Sequence, residues 1–357
     1  MNKYWIIVLL TLVLTASLGI IFRDIKGPPV FGLPKIDTTA TTDTQENRAE
    51  QNPLTIEAMR KRNYPGSSFI FEQTLKPGSN YQKYVVSYQS DGLKIYGLLT
   101  VSNDQNPPAD GWPAIVFNHG FIPPETYKTT ERYVAYVDGL ARQGYIVFKP
   151  DYRGHGKSEG QLEGAYYSPA YAIDSLNALE SLKNYGPVNP RKIGMWGHSM
   201  GGNIVLRDIV TNNMDIKAAV IWGGVVGSYE DLMNNWQRKV SYQPPARELS
   251  LRNNYRKKLT DTYGTLSINP QFWQAADPTY HLDLISTPVQ LHAGSHDEEV
   301  PSEFSQSLKR KLAEDGKVVE YYEYPGGNHN LSSPNFELAM KRSVEFFDKY
   351  LKGGESK

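Results

Sequence analysis

Apolar positions in this chain fall into short unbroken runs, and longer amphipathic segments separate those runs. The runs have the length of strands, whereas the segments between them have the length and spacing of helices. Continuous apolar strands that alternate with helices predict a mostly parallel sheet that helices cover on both faces. The predicted strands of this kind are Ala114–Phe117, Tyr145–Phe148, the run that ends before Gly197, Lys217–Trp222, Pro288–His292 and Val318–Tyr322.

Helices are predicted between and after these strands, and a β-hairpin is predicted before them. The hairpin joins Tyr84–Tyr88 to Lys94–Leu99 through a Ser-Asp-Gly turn at residues 90–92. The predicted helices are Leu54–Arg62, Arg132–Gln143, Tyr171–Tyr185, a segment that begins near Asn203, Ser302–Asp315 and Phe336–Leu351. Because ligands of parallel sheets bind at the carboxyl ends of the strands, we expect the functional site there.

The alternation stops between Ser228 and Leu282, where the sequence is polar, helical in pattern and rich in aromatic residues. This interval begins just beyond a predicted strand end, so it would lie above the functional site. One interpretation is a helical lid insertion, at about 228–282, that shapes a substrate pocket. The other is a packed excursion whose aromatic side chains form a small core of their own, as aromatics at helical spacing usually do.

Tyr4–Phe22 is an almost unbroken apolar run with Lys3 before it and Arg23 after it. About 20 apolar residues suffice for a helix that crosses a bilayer, and a signal peptide usually has a shorter apolar core. We therefore expect residues 1–26 to form a transmembrane anchor, with a signal segment and secretion after its cleavage as the alternative. Residues 27–52 are threonine-rich and predict a flexible stalk, followed by a folded domain at 53–357 outside the cytoplasm.

The composition of the chain argues against several classes of partner and of catalytic chemistry. The 357 residues carry 38 basic and 38 acidic side chains, and this balance argues against nucleic acid as the main partner. The chain has no cysteine, which excludes disulfides, thiolate catalysis and cysteine-ligated metals. No cluster of histidine and carboxylate residues has metal-ligand spacing, so we expect neither a metal nor another cofactor.

The clearest chemical motif is Gly-His-Ser-Met-Gly at residues 197–201, between a predicted strand and a predicted helix. A turn this tight brings backbone atoms so close that a Cβ at Gly197 or Gly201 would clash. The turn lifts Ser199 Oγ clear of the sheet, and the following helix directs free N–H groups toward a bound group. This pattern predicts that Ser199 is a nucleophile.

A serine hydroxyl is a weak nucleophile, so it needs a base within hydrogen-bond reach and a carboxylate that orients the base. In strand–turn–helix sites of this kind, the acid and then the histidine follow the serine along the chain. Asp297 follows the strand Pro288–His292, and His329 follows the last strand in a glycine-rich turn. They are therefore the predicted acid and base. The less well placed carboxylates are Glu298, Glu299 and Asp277, and the less well placed histidines are His198, His281, His292 and His296.

The predicted site also includes two N–H donors for the negative charge that develops on a substrate oxygen. These are the backbone amides of Met200, directly after the nucleophile, and of Phe121, in the loop after Ala114–Phe117. We expect the His119 side chain in that loop to be structural. A second dense motif, Asp151–Gly160, is expected to brace neighbouring loops through charge-assisted bonds. A phosphate-binding interpretation of this glycine-rich run is disfavoured, because its lysine–serine pair does not open a helix.

These motifs together resemble the α/β-hydrolase superfamily, and within it the prolyl oligopeptidase-like serine hydrolases. The segments that carry the resemblance are Asn118–Phe121, Asp151–Gly156, Gly197–Gly202, Gly294–Pro301 and Gly327–His329, within about Tyr81 to Lys352. The resemblance implies an α/β-hydrolase fold with Ser199, Asp297 and His329 as the triad. The Gly-x-x-Asp-x-x-Val-Pro spacing around Asp297 is the feature most similar to the oligopeptidases.

Two features depart from that branch. Its large members carry a β-propeller, for which residues 53–80 are too few, and the Gly-His-Ser-Met-Gly turn is also common in lipases and esterases. The resemblance implies a serine hydrolase that acts on a small peptide or ester through an acyl-enzyme, most closely a prolyl oligopeptidase-like peptidase. The alternatives are a carboxylesterase, an acyltransferase in which an alcohol replaces water, and a catalytically silent binding module on the same fold.

Overall fold

The computed structural model of the protein describes residues 52–104, 107–164, 166–212, 214–238 and 246–353, apart from the side chains at 247, 248 and 251. Within these residues, nine strands form one sheet. They are β1 (Ile70–Leu75), β2 (Tyr81–Ser90), β3 (Leu93–Ser102), β4 (Trp112–Asn118), β5 (Ile146–Pro150), β6 (Val188–His198), β7 (Ala219–Trp222), β8 (Val289–Gly294) and β9 (Val319–Tyr324).

The strand order across the sheet is β1-β2-β3-β5-β4-β6-β7-β8-β9. The first three strands form an antiparallel meander, and β3 pairs antiparallel with β5. From β5 to β9 all neighbours are parallel. The carboxyl ends of β6, β7, β8 and β9 therefore lie side by side at one edge of the sheet, which is where a ligand site is expected.

Eight α-helices surround the sheet in the described part of the chain. They are α1 (Ile56–Lys61), α2 (Val134–Ala141), α3 (Ala170–Lys183), α4 (Met200–Thr211), α5 (Ala246–Tyr263), α6 (Pro270–Ala276), α7 (Ser302–Glu314) and α8 (Asn335–Leu351). Short 3₁₀ turns lie at Pro124–Thr126, Pro278–Tyr280 and Leu282–Leu284, and a single π turn lies at Asp231–Asn235.

The central parallel strands β4, β5, β7 and β8 are buried on both faces, and their successive side chains point to opposite sides of the sheet. In β4, for example, Ala114 and Val116 belong to one apolar cluster, whereas Ile115 and Phe117 belong to another. The first cluster includes residues of α1, α3, α4, α6 and α7, and the second includes residues of α2 and α8. The predicted α/β architecture with helices on both faces is confirmed.

Strand β1 was not identified from the sequence. It lies at the edge of the sheet, and five of its six residues are exposed. A strand with so little burial does not show the alternation of apolar and polar positions by which strands are recognised.

Some aromatic residues of the 228–282 interval are buried in a core, and at least one lines a cavity, so each of the two interpretations has partial support. Tyr229, Phe272 and Trp273 are buried in the main apolar cluster, and the Tyr263 ring stacks on Phe272 at a centroid distance of 4.1 Å. Trp236 instead lines the large cavity described below. The interval is thus partly anchored in the domain core, and its function as a lid stays a prediction.

The predicted membrane anchor (residues 1–26) lies outside the described residues, as does the predicted stalk apart from Asn52. Both stay predictions. Among the residues that the structure does describe, no helix has the length and apolar character that a membrane span requires.

Candidate active site

Ser199 occupies a strained turn between β6 and α4. Its backbone has φ of 56° and ψ of −118°, a region that residues with a side chain rarely adopt. The turn is held from both sides: the Ser199 N–H donates to the Trp222 carbonyl at 3.0 Å, and the Val225 N–H donates to the Ser199 carbonyl at 3.0 Å. A Cβ at Gly201 would lie only 1.9 Å from the Asn118 carbonyl oxygen, so the close approach of β4 requires glycine there.

Asp297 and His329, which are distant in sequence, are brought into direct contact by the loops after β8 and β9. Asp297 Oδ2 lies 2.8 Å from His329 Nδ1, and the aspartate side chain is 1% exposed. The other carboxylate oxygen, Oδ1, accepts the backbone N–H groups of Glu299 and Val300 at 2.8 and 2.9 Å. A carboxylate only accepts, so His329 Nδ1 carries the proton and Nε2 is left as the acceptor.

A cavity of about 660 Å³ opens at this edge of the sheet, and both Ser199 and His329 line it. Phe121 and Met200, whose amides were predicted to form an oxyanion hole, line the same cavity. Within the described residues, neither of these two N–H groups donates to a turn or loop carbonyl. The structure therefore brings all five predicted site residues to one place, with Asp297 behind His329.

The remaining histidines have other partners. His292 is fully buried and contacts Gln290 Oε1 at 2.7 Å and the Tyr324 hydroxyl at 2.8 Å, which agrees with the predicted core role. His119 Nδ1 lies 2.7 Å from the Gly120 carbonyl, as expected of a structural residue. Burial lowers the pKa of His292 to about 3 and lowers the pKa of His119 well below its usual value.

The motif that begins at Asp151 braces loops, as predicted. The Arg153 guanidinium binds the buried Asp174 carboxylate at 2.7 Å and Asp91 at 3.1 Å. Asp151 Oδ1 accepts the Tyr127 hydroxyl at 2.5 Å, and the fully buried Lys149 Nζ donates to the same hydroxyl at 3.1 Å. Burial lowers the pKa of Lys149 to about 8. The ring of Tyr127 in this network lies 5.0 Å from the ring of His119, in the loop that carries Phe121.

Residues of the 228–282 interval line one side of the cavity and contact the loop that carries Asp297. Trp236 Nε1 donates to the Glu299 carbonyl at 2.8 Å, and Arg238 Nη2 binds the Glu299 carboxylate at 2.5 Å. Arg252 of α5 lies over the Trp236 ring at 5.8 Å. The same loop that holds the Asp297 carboxylate through backbone amides is therefore also fastened to this interval.

Some cavity residues were not found from the sequence. Arg132, Tyr133 and Tyr136 line the cavity from the start of α2. Arg132 and Tyr133 both have positive φ, 59° and 54°. No motif surrounds these residues, and their placement depends on a left-handed backbone that the sequence pattern does not reveal.

Comparison with known families agrees with this geometry. A model of the family described as "Serine aminopeptidase, S33" matches residues 113–333, more than half of the chain. The chain belongs to this family. The expected α/β-hydrolase fold is thereby confirmed, and the protein is a serine hydrolase of that superfamily. The matched range contains Ser199, Asp297 and His329.

Both peptidases and esterases are similar to this S33 family member. A Bacillus subtilis (strain 168) protein named uncharacterized peptidase YtmA is 25% identical over 254 residues, which cover 71% of this chain and 88% of that protein. Acetyl xylan esterase from Paenibacillus sp. R4 superposes with a TM-score of 0.60 at 18% identity, and the match covers 91% of this chain and 97% of the esterase.

A puromycin-hydrolyzing peptidase of Mycobacterium tuberculosis superposes with a TM-score of 0.59 at 20% identity. That match covers 77% of this chain but only 40% of the peptidase, so this chain accounts for less than half of that protein's length. At such identities the likeness to both solved structures shows the shared fold.

Proposed function

We propose that this protein hydrolyses small peptides or amides through a Ser199–His329–Asp297 triad and an acyl-enzyme. The observation that carries the proposal is the 2.8 Å contact between Asp297 Oδ2 and His329 Nδ1, beside a cavity that Ser199 also lines. A serine on a strained turn, a histidine whose Nε2 is free to accept, and a buried carboxylate behind it are the parts that acyl transfer requires.

In the proposed reaction, Ser199 Oγ attacks the carbonyl carbon of the substrate while its proton passes to His329 Nε2. The carbonyl oxygen becomes negatively charged and accepts the N–H groups of Phe121 and Met200. His329 then gives the proton to the leaving amine or alcohol, and the acyl group stays on Ser199. A water molecule, deprotonated by His329, attacks that ester and releases the acid.

The preference for peptides is supported by the family, described as serine aminopeptidases, and by the relative named a peptidase that matches 71% of this chain. Cleavage of esters is the second candidate. It is supported by the acetyl xylan esterase, 97% of which this chain matches, whereas the peptidase structure has a large part with no counterpart here. The acyl-enzyme chemistry is the same for both, because the substrates differ only in the leaving group.

A paired substrate panel separates the two. We expect the full-length protein to cleave aminoacyl- and prolyl-p-nitroanilides as well as short-chain p-nitrophenyl esters, and Ser199→Ala to abolish all of these activities. Glu298→Gln is the matched control, because Glu298 is an exposed carboxylate beside Asp297 and should not be needed.

Turnover of esters without any anilide cleavage would assign the protein to the carboxylesterases. A fluorophosphonate probe reacts with activated serines, so we expect it to label the wild type and not Ser199→Ala. If the probe does not label the wild type and no substrate is turned over, the fold serves as a binding module and the proposal is wrong.

A further inference from the structure

Tyr133 lies at the start of α2 and faces the cavity in a conformation that needs support from its surroundings. Its φ of 54° and ψ of 17° place it in the left-handed region, directly after Arg132 with φ of 59°. Two successive residues with side chains in this region are uncommon, and such backbone persists where neighbouring contacts hold it. The Tyr133 ring packs edge-on against Phe117 and His198, each at a centroid distance of 5.6 Å.

A chain of hydrogen bonds passes through the Tyr133 hydroxyl. The Gly120 N–H donates to this hydroxyl at 2.9 Å, the hydroxyl lies 2.7 Å from His198 Nδ1, and His198 Nε2 lies 2.9 Å from the His329 carbonyl. Gly120 directly precedes Phe121, and His198 directly precedes Ser199. The chain therefore joins the loop of one proposed oxyanion donor, the strand that ends at the nucleophile, and the backbone of the proposed base.

The direction of each bond in this chain follows from chemistry. A backbone N–H can only donate, so the Tyr133 oxygen accepts from Gly120. A carbonyl can only accept, so His198 Nε2 carries the proton that binds the His329 carbonyl. Nδ1 of a neutral imidazole is then an acceptor, and the Tyr133 O–H donates to it. Burial lowers the pKa of His198 to about 3, which agrees with a neutral ring at ordinary pH.

We propose that Tyr133 is a positioning residue for the reaction: its hydroxyl binds both the Gly120 N–H and His198 Nδ1, and so holds the Phe121 loop and the His329 backbone at a set separation. The inference rests on the proposed function, because it assigns to Tyr133 the alignment of groups that the proposed reaction uses. A small displacement of such groups lowers the rate strongly, by up to about 100-fold for 1 Å. Substrate binding depends less on this alignment.

The test is Tyr133→Phe in the full-length protein, measured with whichever p-nitrophenyl ester or anilide the wild type cleaves best. We expect kcat to fall at least about tenfold, with KM within about twofold of the wild type. Tyr81→Phe is the matched control, since it removes a buried tyrosine hydroxyl that donates to Asp138 of the same helix, 2.7 Å away, outside the cavity. That variant should keep the wild-type kcat.

A second variant tests the same series of hydrogen bonds through His198. His198→Phe removes the bonds to both Tyr133 and the His329 carbonyl, and it should lower kcat at least as much as Tyr133→Phe. The double variant should be no slower than His198→Phe alone, because both changes break one connected chain. Should Tyr133→Phe not fold, His198→Phe with wild-type kcat would by itself overturn the proposal. The proposal would also be overturned if the fall in kcat of the double variant equalled the product of the falls in the two single variants.

Ser199→Ala separates this inference from the proposed function. If Ser199→Ala keeps its activity, the proposed function is wrong and the positioning role is wrong with it. If Ser199→Ala is inactive while Tyr133→Phe matches Tyr81→Phe in kcat and KM, the triad stands and only the role of Tyr133 is wrong. A fall in kcat that Tyr133→Phe shows and Tyr81→Phe does not, at unchanged KM, supports both.

Discussion

The two oxygens of Asp297 have different partners, and this difference decides what the side chain can do. Oδ1 is held by two backbone N–H groups, which can only donate, while Oδ2 faces His329 Nδ1. An asparagine in the same place would keep its oxygen toward the backbone and turn its NH₂ group toward His329. Nδ1 would then have to accept, and the proton would move to Nε2, where it blocks the acceptance of a proton from Ser199.

We therefore predict that Asp297→Asn lowers kcat by about 10⁴ with little effect on folding, as expected for a base locked in the wrong tautomer. Steady-state kinetics and the melting temperature of the variant test this. The neighbouring Glu298→Gln supplies the control and should retain wild-type kcat. An Asp297→Asn protein within about tenfold of the wild type would remove the aspartate from the proposed triad.

Gly223 packs against the Asp297–His329 pair. Its φ is +50°, and a Cβ built on it would lie 3.2 Å from His329 Nδ1 and 3.3 Å from Asp297 Oδ2. Gly316 has a similar φ, +67°, but nothing lies within 4 Å of the position that its Cβ would take. Substitutions at both glycines strain the backbone, but only a substitution at Gly223 also places a methyl group against the site. Comparing them therefore separates the two effects.

We predict that Gly223→Ala and Gly316→Ala each lower the free energy of unfolding by about 1 kcal/mol or more, because a left-handed backbone disfavours a Cβ. Only Gly223→Ala should also lower kcat, since only its methyl group presses on the two side chains. Urea unfolding and kinetics of both variants test this. Equal kcat values for the two variants would show that the Asp297–His329 contact tolerates the added methyl group.

At the scale of elements, the 228–282 interval contacts the site through the loop that follows Asp297. Trp236 lines the cavity and donates to the Glu299 carbonyl, in the loop whose amides hold Asp297. If the interval selects substrates, its effect should depend on substrate size.

We predict that Trp236→Ala raises KM several-fold for a long-chain ester or a prolyl anilide, while kcat/KM for p-nitrophenyl acetate stays within about threefold. A small activated ester needs little contact with the cavity wall. Tyr280→Phe is the control, because Tyr280 lies in the same interval, is 52% exposed and is not among the residues that line the cavity. A uniform loss on all substrates would instead indicate that Trp236 supports the aspartate loop.

The short helix α1 shows how a small element can be fixed by burial. Leu54, Ile56 and Met59 are each at most 1% exposed, and the buried Arg207 of α4 donates to the Leu54 carbonyl at 3.0 Å. A helix of 6 residues has no stability of its own, so its position depends on these contacts.

Met59→Ala should therefore lower the free energy of unfolding by about 2–4 kcal/mol through the cavity that it creates. Met214, which is 72% exposed, offers the same substitution without burial, and Met214→Ala should stay within about 0.5 kcal/mol of the wild type. Denaturant unfolding of the two variants measures the difference. Equal stabilities would mean that α1 does not contribute to the cooperative core.

The elements that could be predicted from the sequence are those whose burial is uniform or periodic. The central parallel strands β4, β5, β7 and β8 are largely apolar runs because both faces are covered, and the site residues lie in turns with recognisable glycines. Strand β1 is exposed at the sheet edge and has no such pattern. Tyr133 and Gly223 could not be assigned roles, because their contacts depend on positive φ angles and on residues distant in sequence.

At the scale of the whole molecule, several histidines are buried in a neutral state. Burial lowers the pKa of His198 and of His292 to about 3, and that of His155 to about 4, from an ordinary value of 6.5. The unfolded chain binds protons on these groups below about pH 6.5, whereas the folded protein does not. The free energy of unfolding therefore falls as the pH drops below 6.5 toward 3.

For one such group the loss between pH 7 and pH 5 is about 2 kcal/mol. We predict that His292→Gln reduces the pH dependence of the unfolding free energy over this range by about that amount. Urea unfolding at the two pH values measures it, with the exposed His296→Gln as the control. A variant with the same pH dependence as the wild type would show that His292 takes up its proton without unfolding.

The order of the site residues along the sequence decides when the site can form during protein synthesis. Ser199 follows β6, whereas its proposed partners follow β8 and β9, which come later in the chain. At ordinary rates of synthesis, the ribosome needs on the order of 10 s to pass from the serine codon to the histidine codon. During that interval the growing polypeptide displays a serine without a base. With the proposed triad, hydrolytic activity therefore requires that translation has passed the codon of His329, and a chain that stops before it is expected to be inert.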